Sequence, residues 1–386
     1  MSLIVGIDAS RNRSGGAKAH LVGILSAGDP SRYGISQVHV WSYDSLLKAL
    51  PDAPWLHKHN PPELERSLLQ QAWWQRRALP KEIRLRHCDI LLSPDAGTIG
   101  SYRPSVVMSR DMLSYEPGEM RRYGFSKARL RLILLRYIQA RSMKHATATI
   151  FLTQYAARTI QKFTGKIERV AVIPHGVGEA FRHNGPARAW PGRDAQIRCL
   201  YVSNAEMYKH QWTVVRAVGQ LRRRGHNLSL TLAGGGSGEA QRLMDEEIAR
   251  TDPRNEFVRV IGAVRHDEIP GLLAEADLFI FASSCENMPN TLLEAMASAL
   301  PIACSDRGPM PEVLGDGGIY FDPEDDESIA AAVERLVTDP ELRLTSARRS
   351  KELSENYSWA RCASETWTFL RENSSRSVTG MRMENE

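Results

Sequence analysis

Asp277-Leu278-Phe279-Ile280-Phe281-Ala282-Ser283-Ser284-Cys285-Glu286-Asn287-Met288-Pro289-Asn290-Thr291-Leu292-Leu293-Glu294-Ala295-Met296 is the stretch from which the rest of the chain can be read. Its apolar opening predicts a parallel strand over 277–281, buried on both faces. A short polar loop follows, and Pro289 opens a helical pattern that ends before Pro301. Proline suits a first helical turn because its missing N–H would have no partner there anyway. Strand, loop and Pro-opened helix place free backbone N–H groups above a sheet edge, where phosphate binds.

The two glutamates of this stretch are poorly placed for hydrolysis as a pair. Eight helical steps from Glu286 to Glu294 would rise about 12 Å and turn them roughly 80° apart. The carboxylates of glycosidases sit closer, roughly 5 Å apart in retaining enzymes and roughly 6.5–9.5 Å in inverting ones. Each glutamate therefore suits a separate hydroxyl-bearing group. Glu286 in the loop meets one end of a ligand and Glu294, one turn into the helix, the other. Phosphates would lie between them, on the N–H groups near Asn290 and Thr291. Sugar, diphosphate and ribose in that order describe a sugar nucleotide. A solvated loop glutamate plus a helix-surface glutamate is the plain alternative.

Elsewhere, strands and helices alternate. The first half reads as strands at 3–8, 37–41, 89–92, 105–109, 149–152 and 170–173. Helices are expected from Gly15 to Leu25, at 64–77, at 127–144 and up to Ile160. The second half reads as strands at 197–203, 228–233, 257–261, 277–281, 301–304 and 319–321. Its helices begin at Gln211 and Glu239 and span 266–275 and the Pro289 segment. This alternation implies parallel sheets with right-handed crossovers. The breakers His183-Asn184-Gly185-Pro186 and Trp190-Pro191-Gly192 mark a linker. The expected division is a first domain at 1–180, a linker at 181–196, a second domain at 197–357, a helix at 358–372 and a disordered tail at 373–386.

Several chemistries have no motif here. Gly234-Gly235-Gly236-Ser237-Gly238 follows a strand, but Glu239 stands where the third glycine of a dinucleotide fingerprint belongs. The run fits either ligand approach or turn geometry. There is no P-loop and no nucleophile elbow. His57-Lys58-His59 could ligate a metal, although a surface histidine pair is the commoner outcome. Five scattered cysteines without a Cys-x-x-Cys suit a reducing compartment and argue against a zinc site. A net charge of +5 over 386 residues, without a Lys/Arg-only tract, gives no sign of nucleic-acid binding. No apolar stretch reaches the roughly 20 residues of a membrane span, so a cytoplasmic location is expected.

The Glu-x7-Glu stretch resembles the signature of the retaining glycosyltransferases of family 4. Other matches follow in order: Ser14-Gly15-Gly16-Ala17 is similar to the family's N-terminal glycine loop, and Val172-Ile173-Pro174-His175-Gly176-Val177 to its interdomain segment. Leu200-Tyr201-Val202-Ser203 with Lys209 resembles its phosphate-binding strand and lysine. Ile261-Gly262-Ala263-Val264 resembles the loop against the nucleobase, and Gly308-Pro309-Met310-Pro311-Glu312-Val313 the loop after the signature helix. The resemblance implies the GT-B fold, an α/β architecture of two Rossmann-like domains facing across a cleft, with a C-terminal helix crossing back to the first. It also implies a nucleoside-diphosphate sugar as donor, held by Gly15, Gly16, Asn204, Lys209, Val264, Glu286, Asn287, Met288, Pro289, Asn290, Thr291 and Glu294. Glu286 and Lys209 would carry catalysis, and transfer would retain the anomeric configuration.

No two aspartates are separated by one residue, so the Asp-x-Asp that holds a divalent metal in the other main transferase fold is missing. No metal and no other cofactor is expected, and fixed cations and dipoles would stabilise the leaving diphosphate. The chain departs from the family twice. Asn204 stands where the family usually has an arginine five residues before the lysine; Arg307 or Arg110 is a candidate replacement. Ser109-Arg110-Asp111 stands where many members have His-Asp, leaving Arg110 and Asp111 as acceptor contacts.

Tyr208-Lys209-His210-Gln211-Trp212 and Cys285-Glu286-Asn287-Met288-Pro289-Asn290 look most similar to bacterial enzymes of surface-polysaccharide (O-antigen) assembly, particularly mannosyl- and rhamnosyltransferases. This likeness implies a GDP-hexose donor first, a UDP-sugar second, and a glycan or lipid-linked glycan acceptor. From Arg121 to Ala146 there are eight Lys/Arg and no acid, interleaved with leucines and isoleucines. This suits association with the cytoplasmic face of an inner membrane, although the basic residues scatter around the helical projection, as snorkelling arginines on a packed helix also would. The readings from other classes are a catalytically silent sugar-nucleotide-binding scaffold in a synthase complex and a dehydrogenase.

Overall fold

In the computed structural model, the described residues are 2–13, 15–100, 102–185, 189–192 and 195–374. Ser14 of the glycine loop, Pro186 of the breaker cluster and tail residues 375–386 lie outside them. The chain divides into two compact units, one holding residues up to Gly176 together with those from Ser358 onward, the other Val177–Tyr357. Each is built on a parallel sheet.

The first unit contains β1 (Leu3–Asp8), β2 (Ile35–Trp41), β3 (Leu56–His59), β4 (Ile90–Ser93), β5 (Ser105–Met108), β6 (Ala148–Phe151) and β7 (Val170–Val172). Their order across the sheet is β3-β2-β1-β4-β5-β6-β7. The second contains β8 (Ile197–Val202), β9 (Leu228–Ala233), β10 (Val258–Gly262), β11 (Leu278–Phe281), β12 (Ile302–Ser305) and β13 (Ile319–Phe321), ordered β10-β9-β8-β11-β12-β13. In both sheets the chain reverses its direction of winding beside the first strand, between β1 and β4 and between β8 and β11. Loops leaving the carboxyl ends of strands at such a point splay apart and open a crevice. Two Rossmann-like units with all-parallel sheets make this the expected GT-B fold.

Leu278, Phe279, Ile280 and Phe281 are all fully buried, as a central strand covered on both faces requires. The structure adds elements with weak sequence signals. β3 is an edge strand whose only buried residue is Leu56, so it lacks an apolar alternation. The segment expected as one helix over 64–77 contains a short 3₁₀ turn, a helix at Leu68–Trp73 opened by a Ser67/Gln70 capping box, and a π-helical turn at Trp74–Ala78. It then continues as a helix over Leu79–Leu85.

The expected boundaries also shift. The first unit ends at Gly176, not 180, and residues 181–183 are docked instead of linking. Phe181 is buried, its carbonyl accepts from the Ser298 hydroxyl at 3.0 Å, and the His183 N–H donates to the Ala297 carbonyl at 2.9 Å. An apolar side chain in the supposed linker drives this docking. The C-terminal helix Trp359–Glu372 packs against the first helix, Gly15–Ser26, within the first unit. Gly23 permits the approach: a Cβ there would lie 2.3 Å from the Trp359 ring.

Candidate functional site

The crevice of the second unit opens between β8 and β11, and the loops following these two strands are tied together. Tyr208 and His210 come from the first loop and Ser284 from the second. The Ser284 N–H donates to the Tyr208 carbonyl at 2.8 Å, and His210 Nε2 lies 2.9 Å from Ser284 Oγ. His210 adopts the left-handed conformation (φ 50°, ψ 33°) just before the helix Gln211–Arg223. That turn is uncommon for a residue with a Cβ. The Tyr201 hydroxyl, at the end of β8, donates to the Lys209 carbonyl at 2.7 Å, so the lysine backbone is fixed by both neighbours.

Held in this way, Lys209 Nζ forms an ion pair with Glu286 Oε1, its side chain 12% and the glutamate's 15% exposed. The ammonium also lies 5.5 Å from the Phe281 ring centroid and 5.1 Å from that of Tyr208. These two residues, far apart in sequence, meet at the switch point. From Asp277 to Ser298 every residue is buried except Glu286, Asn290 and Thr291, which are partly exposed. The loop therefore offers to solvent only the side chains assigned to a ligand. Asn287 and Met288, also expected at the donor, have buried side chains.

The helix after β11 runs Asn290–Ala297, one residue later than the sequence pattern placed it, with Pro289 at the cap position and no side chain capping the first turn. The Asn290 N–H donates to the Met288 carbonyl at 3.0 Å, and the helix dipole favours negative charge at this end. Glu294 is buried on this helix. His266, from the loop after β10, lies with Nε2 2.9 Å from Glu294 Oε1, and Glu294 Oε2 is buried with no hydrogen-bond partner. Burial raises the Glu294 carboxyl above the ordinary carboxylate range, while His266 opposes the rise. The same bond raises the imidazole of His266 above its usual value. A buried carboxylate oxygen lacking a donor costs stability in the free protein and is ready to accept from a ligand hydroxyl.

Other predicted residues sit around this crevice. Val264 lies partly buried in the loop after β10, and Asn204 is exposed in the loop after β8. The Asn204 carbonyl accepts from Gln211 Nε2 at 2.9 Å. Gly234 takes φ +145°, and a Cβ there would lie 2.0 Å from the Ser203 carbonyl oxygen. Close loop packing therefore explains the first glycine of the run. Arg307 is engaged by Asp322 at 2.6 Å and Asp306 at 3.2 Å, so it is not a ready substitute for the missing arginine. Gly308-Pro309 leads into a short helix, Met310–Leu314, where a loop was expected.

Within the first unit, Gly15 and Gly16 open the helix after β1. Arg110 and Asp111 follow β5. Burial lowers the Arg110 guanidinium to about 10, with Asp95 opposing, and raises the Asp111 carboxyl. Asp111 accepts from the Leu113 N–H at 3.0 Å and from Gln139 Nε2 at 3.4 Å. At the end of β1, buried Asp8 accepts from Ser10 Oγ at 2.6 Å and Gln75 Nε2 at 2.8 Å. His57 and His59 stand on β3 beside His39, whose Nδ1 is 2.9 Å from His59 Nε2. Among the described residues no group of three or more His, Cys, Asp or Glu is arranged to hold a metal ion.

Residues 188–353 match the family described as "Glycosyl transferases group 1". The O-antigen chain mannosyltransferase B of Escherichia coli is 30% identical over 120 residues, covering 31% of this chain and 32% of that protein. The glycogen synthase of Mycobacterium tuberculosis (strain CDC 1551 / Oshkosh) is 29% identical over 203 residues, 52% of this chain and 48% of the relative. The chain thus spans at most about half the length of these two relatives. Among solved structures, sucrose-phosphate synthase from Thermosynechococcus elongatus superposes with a TM-score of 0.72 at 16% identity, covering 96% of this chain and 98% of that one. Residues 188–353 are accordingly similar to the glycosyl transferases group 1 family, within a chain of GT-B fold.

Proposed function

We propose that this protein is a retaining glycosyltransferase that moves a hexose from a nucleoside-diphosphate sugar to a glycan or lipid-linked glycan, without a divalent metal. The observation that carries the reading is the meeting of Lys209 and Glu286 at the sheet switch point, in the loop before the helix that carries the buried, half-satisfied carboxylate of Glu294 one turn in. The ribose hydroxyls donate to Glu294, the diphosphate lies on Lys209 at the helix start by Asn290 and Thr291, and Glu286 accepts from the transferred sugar. In the reaction the bond from the anomeric carbon to the phosphate oxygen breaks. The acceptor oxygen bonds to that carbon on the same face, and its proton passes to the departing phosphate oxygen. Charge grows on that phosphate, where the Lys209 ammonium and the helix start are already fixed.

The similarity to an O-antigen chain mannosyltransferase supports mannose as the transferred sugar, and GDP-mannose or GDP-rhamnose is the donor we propose first. In a panel of GDP- and UDP-sugars, the GDP-hexoses raise the melting temperature by about 2 °C or more at saturating concentration. A rise with UDP-sugars alone moves the assignment to uridine. Binding without transfer or donor hydrolysis for any of them leaves a silent sugar-nucleotide-binding scaffold, and no rise with any of them sinks the reading.

A membrane-bound acceptor is supported by the helix Lys127–His145. Residues Lys127, Leu130, Arg131, Leu134, Tyr137, Arg141 and Lys144 are all exposed. At 100° per residue they fall within an arc of about 140°. The scatter seen in the bare projection therefore resolves once the buried face, with Gln139, Ala140 and Met143, is removed. An apolar strip flanked by cations and free of acids suits an anionic bilayer surface. Sedimentation with vesicles containing 30% phosphatidylglycerol checks it. Parent protein pellets at low salt, and the Lys127→Glu/Arg131→Glu/Arg141→Glu/Lys144→Glu variant loses about 1,000-fold in partitioning, at about 1 kcal/mol for each lost cation. Equal pelleting of both rules this surface out.

A further inference from the structure

We infer that His266 is a positioning residue for the nucleotide ribose: it fixes one oxygen of Glu294 so that the other stays presented to the ribose hydroxyls. The inference rests on the reading of Glu294 as the ribose acceptor. A carboxylate on a helix can rotate about its terminal torsion, which is broad and roughly two-fold. Here rotation is checked at one oxygen alone, by the His266 Nε2 contact at 2.9 Å, because Oε2 has no protein partner. The imidazole is braced in turn by the Phe181 ring, 5.2 Å away between centroids. Phe181 is itself buried against the helix that carries Glu294. The histidine is the outer member, its side chain 59% exposed against 8% for Glu294. It can therefore be changed without opening a core. Its other charged neighbour is Asp267, which like Glu294 favours the imidazolium.

The arrangement predicts a penalty tied to specific ligand atoms. Calorimetric titration with GDP and UDP identifies the base, and the 2′,3′-dideoxy form of the tighter binder is then compared. His266→Ala weakens the ribonucleotide about fivefold, the net scale of one ordinary hydrogen bond. It leaves the already weakened dideoxynucleotide unchanged. His266→Gln, which keeps an N–H donor, restores at least half of the loss on the free-energy scale. With the sugar nucleotide as substrate, KM rises and kcat moves less than about twofold, because ribose contacts serve ground and transition states alike. Equal losses for ribo- and dideoxynucleotide, or a fall in kcat at constant KM, overturn the role of His266. Parent protein that binds neither GDP nor UDP overturns the donor reading itself. Parent and His266→Ala binding the ribonucleotide equally overturns the histidine alone.

Discussion

Lys209→Ala lowers kcat about 100- to 1,000-fold, about 2.7–4 kcal/mol of barrier, the cost of removing one fixed donor from a developing anion. Donor hydrolysis and sugar transfer fall together, because both expel the same diphosphate. The fold survives, since Lys209 supports no core and its backbone carbonyl still accepts from Tyr201. Lys209→Arg recovers little. A planar guanidinium cannot occupy the point position of the ammonium between the Phe281 ring and Glu286 without displacing one of them. Glu286→Ala is expected to lose at least tenfold in kcat, about 1.4 kcal/mol. The double variant loses less than the sum of the two, because the residues are already in contact. Steady-state kinetics on all three variants with one donor measures the coupling. Near-parental turnover in folded Lys209→Ala would remove the ion pair from catalysis.

The coupling also shows what the sequence conveyed. β11 was legible because four consecutive large apolar residues can only be a central strand once a loop and a helix pattern follow. The places of Glu286 in the loop and Glu294 in the helix after β11 were legible from the strand–loop–helix pattern, whereas Lys209 was singled out by the family resemblance. That Lys209 and Glu286 touch was not, because it depends on β8 and β11 lying side by side in a sheet where β9 and β10 intervene in the chain. His266 was passed over for a similar reason. It stands in a charged run, Arg265-His266-Asp267-Glu268, that reads as solvated surface, and only the fold turns its ring onto Glu294. His210 carries no local sign of its left-handed turn, which is set by the bond to Ser284.

The helix at 127–145 failed in the opposite direction. Its composition was plain, but the projection treats all faces as equal, and the amphipathic face emerges only when packing has buried one side. The segment 79–85 was missed; there Pro80 is the second residue of a helix that follows directly on the π-helical turn Trp74–Ala78.

Glu294→Met is expected to stabilise the protein while abolishing tight donor binding. The glutamate is buried with one oxygen unsatisfied, a condition worth about 1–3 kcal/mol against the fold. Methionine fills a similar volume without the polar atoms. The donor KM should rise about 100-fold, since two ribose hydroxyls lose a charged acceptor at about 1.5 kcal/mol each. The pH dependence separates this from ordinary repacking. Burial holds the folded Glu294 carboxyl above its ordinary range, so its favourable contribution is present below the unfolded value and is lost as pH rises through the folded one. His266 is also raised, so its contribution is lost in turn above the ordinary histidine range. Both effects weaken the parent as pH increases, and Glu294→Met abolishes the first and relieves the second. The melting-temperature advantage of the variant therefore widens from pH 5 to pH 8. A variant that is less stable than the parent across this range would mean that the carboxylate is satisfied in the folded protein. It would then have no vacancy for a ribose.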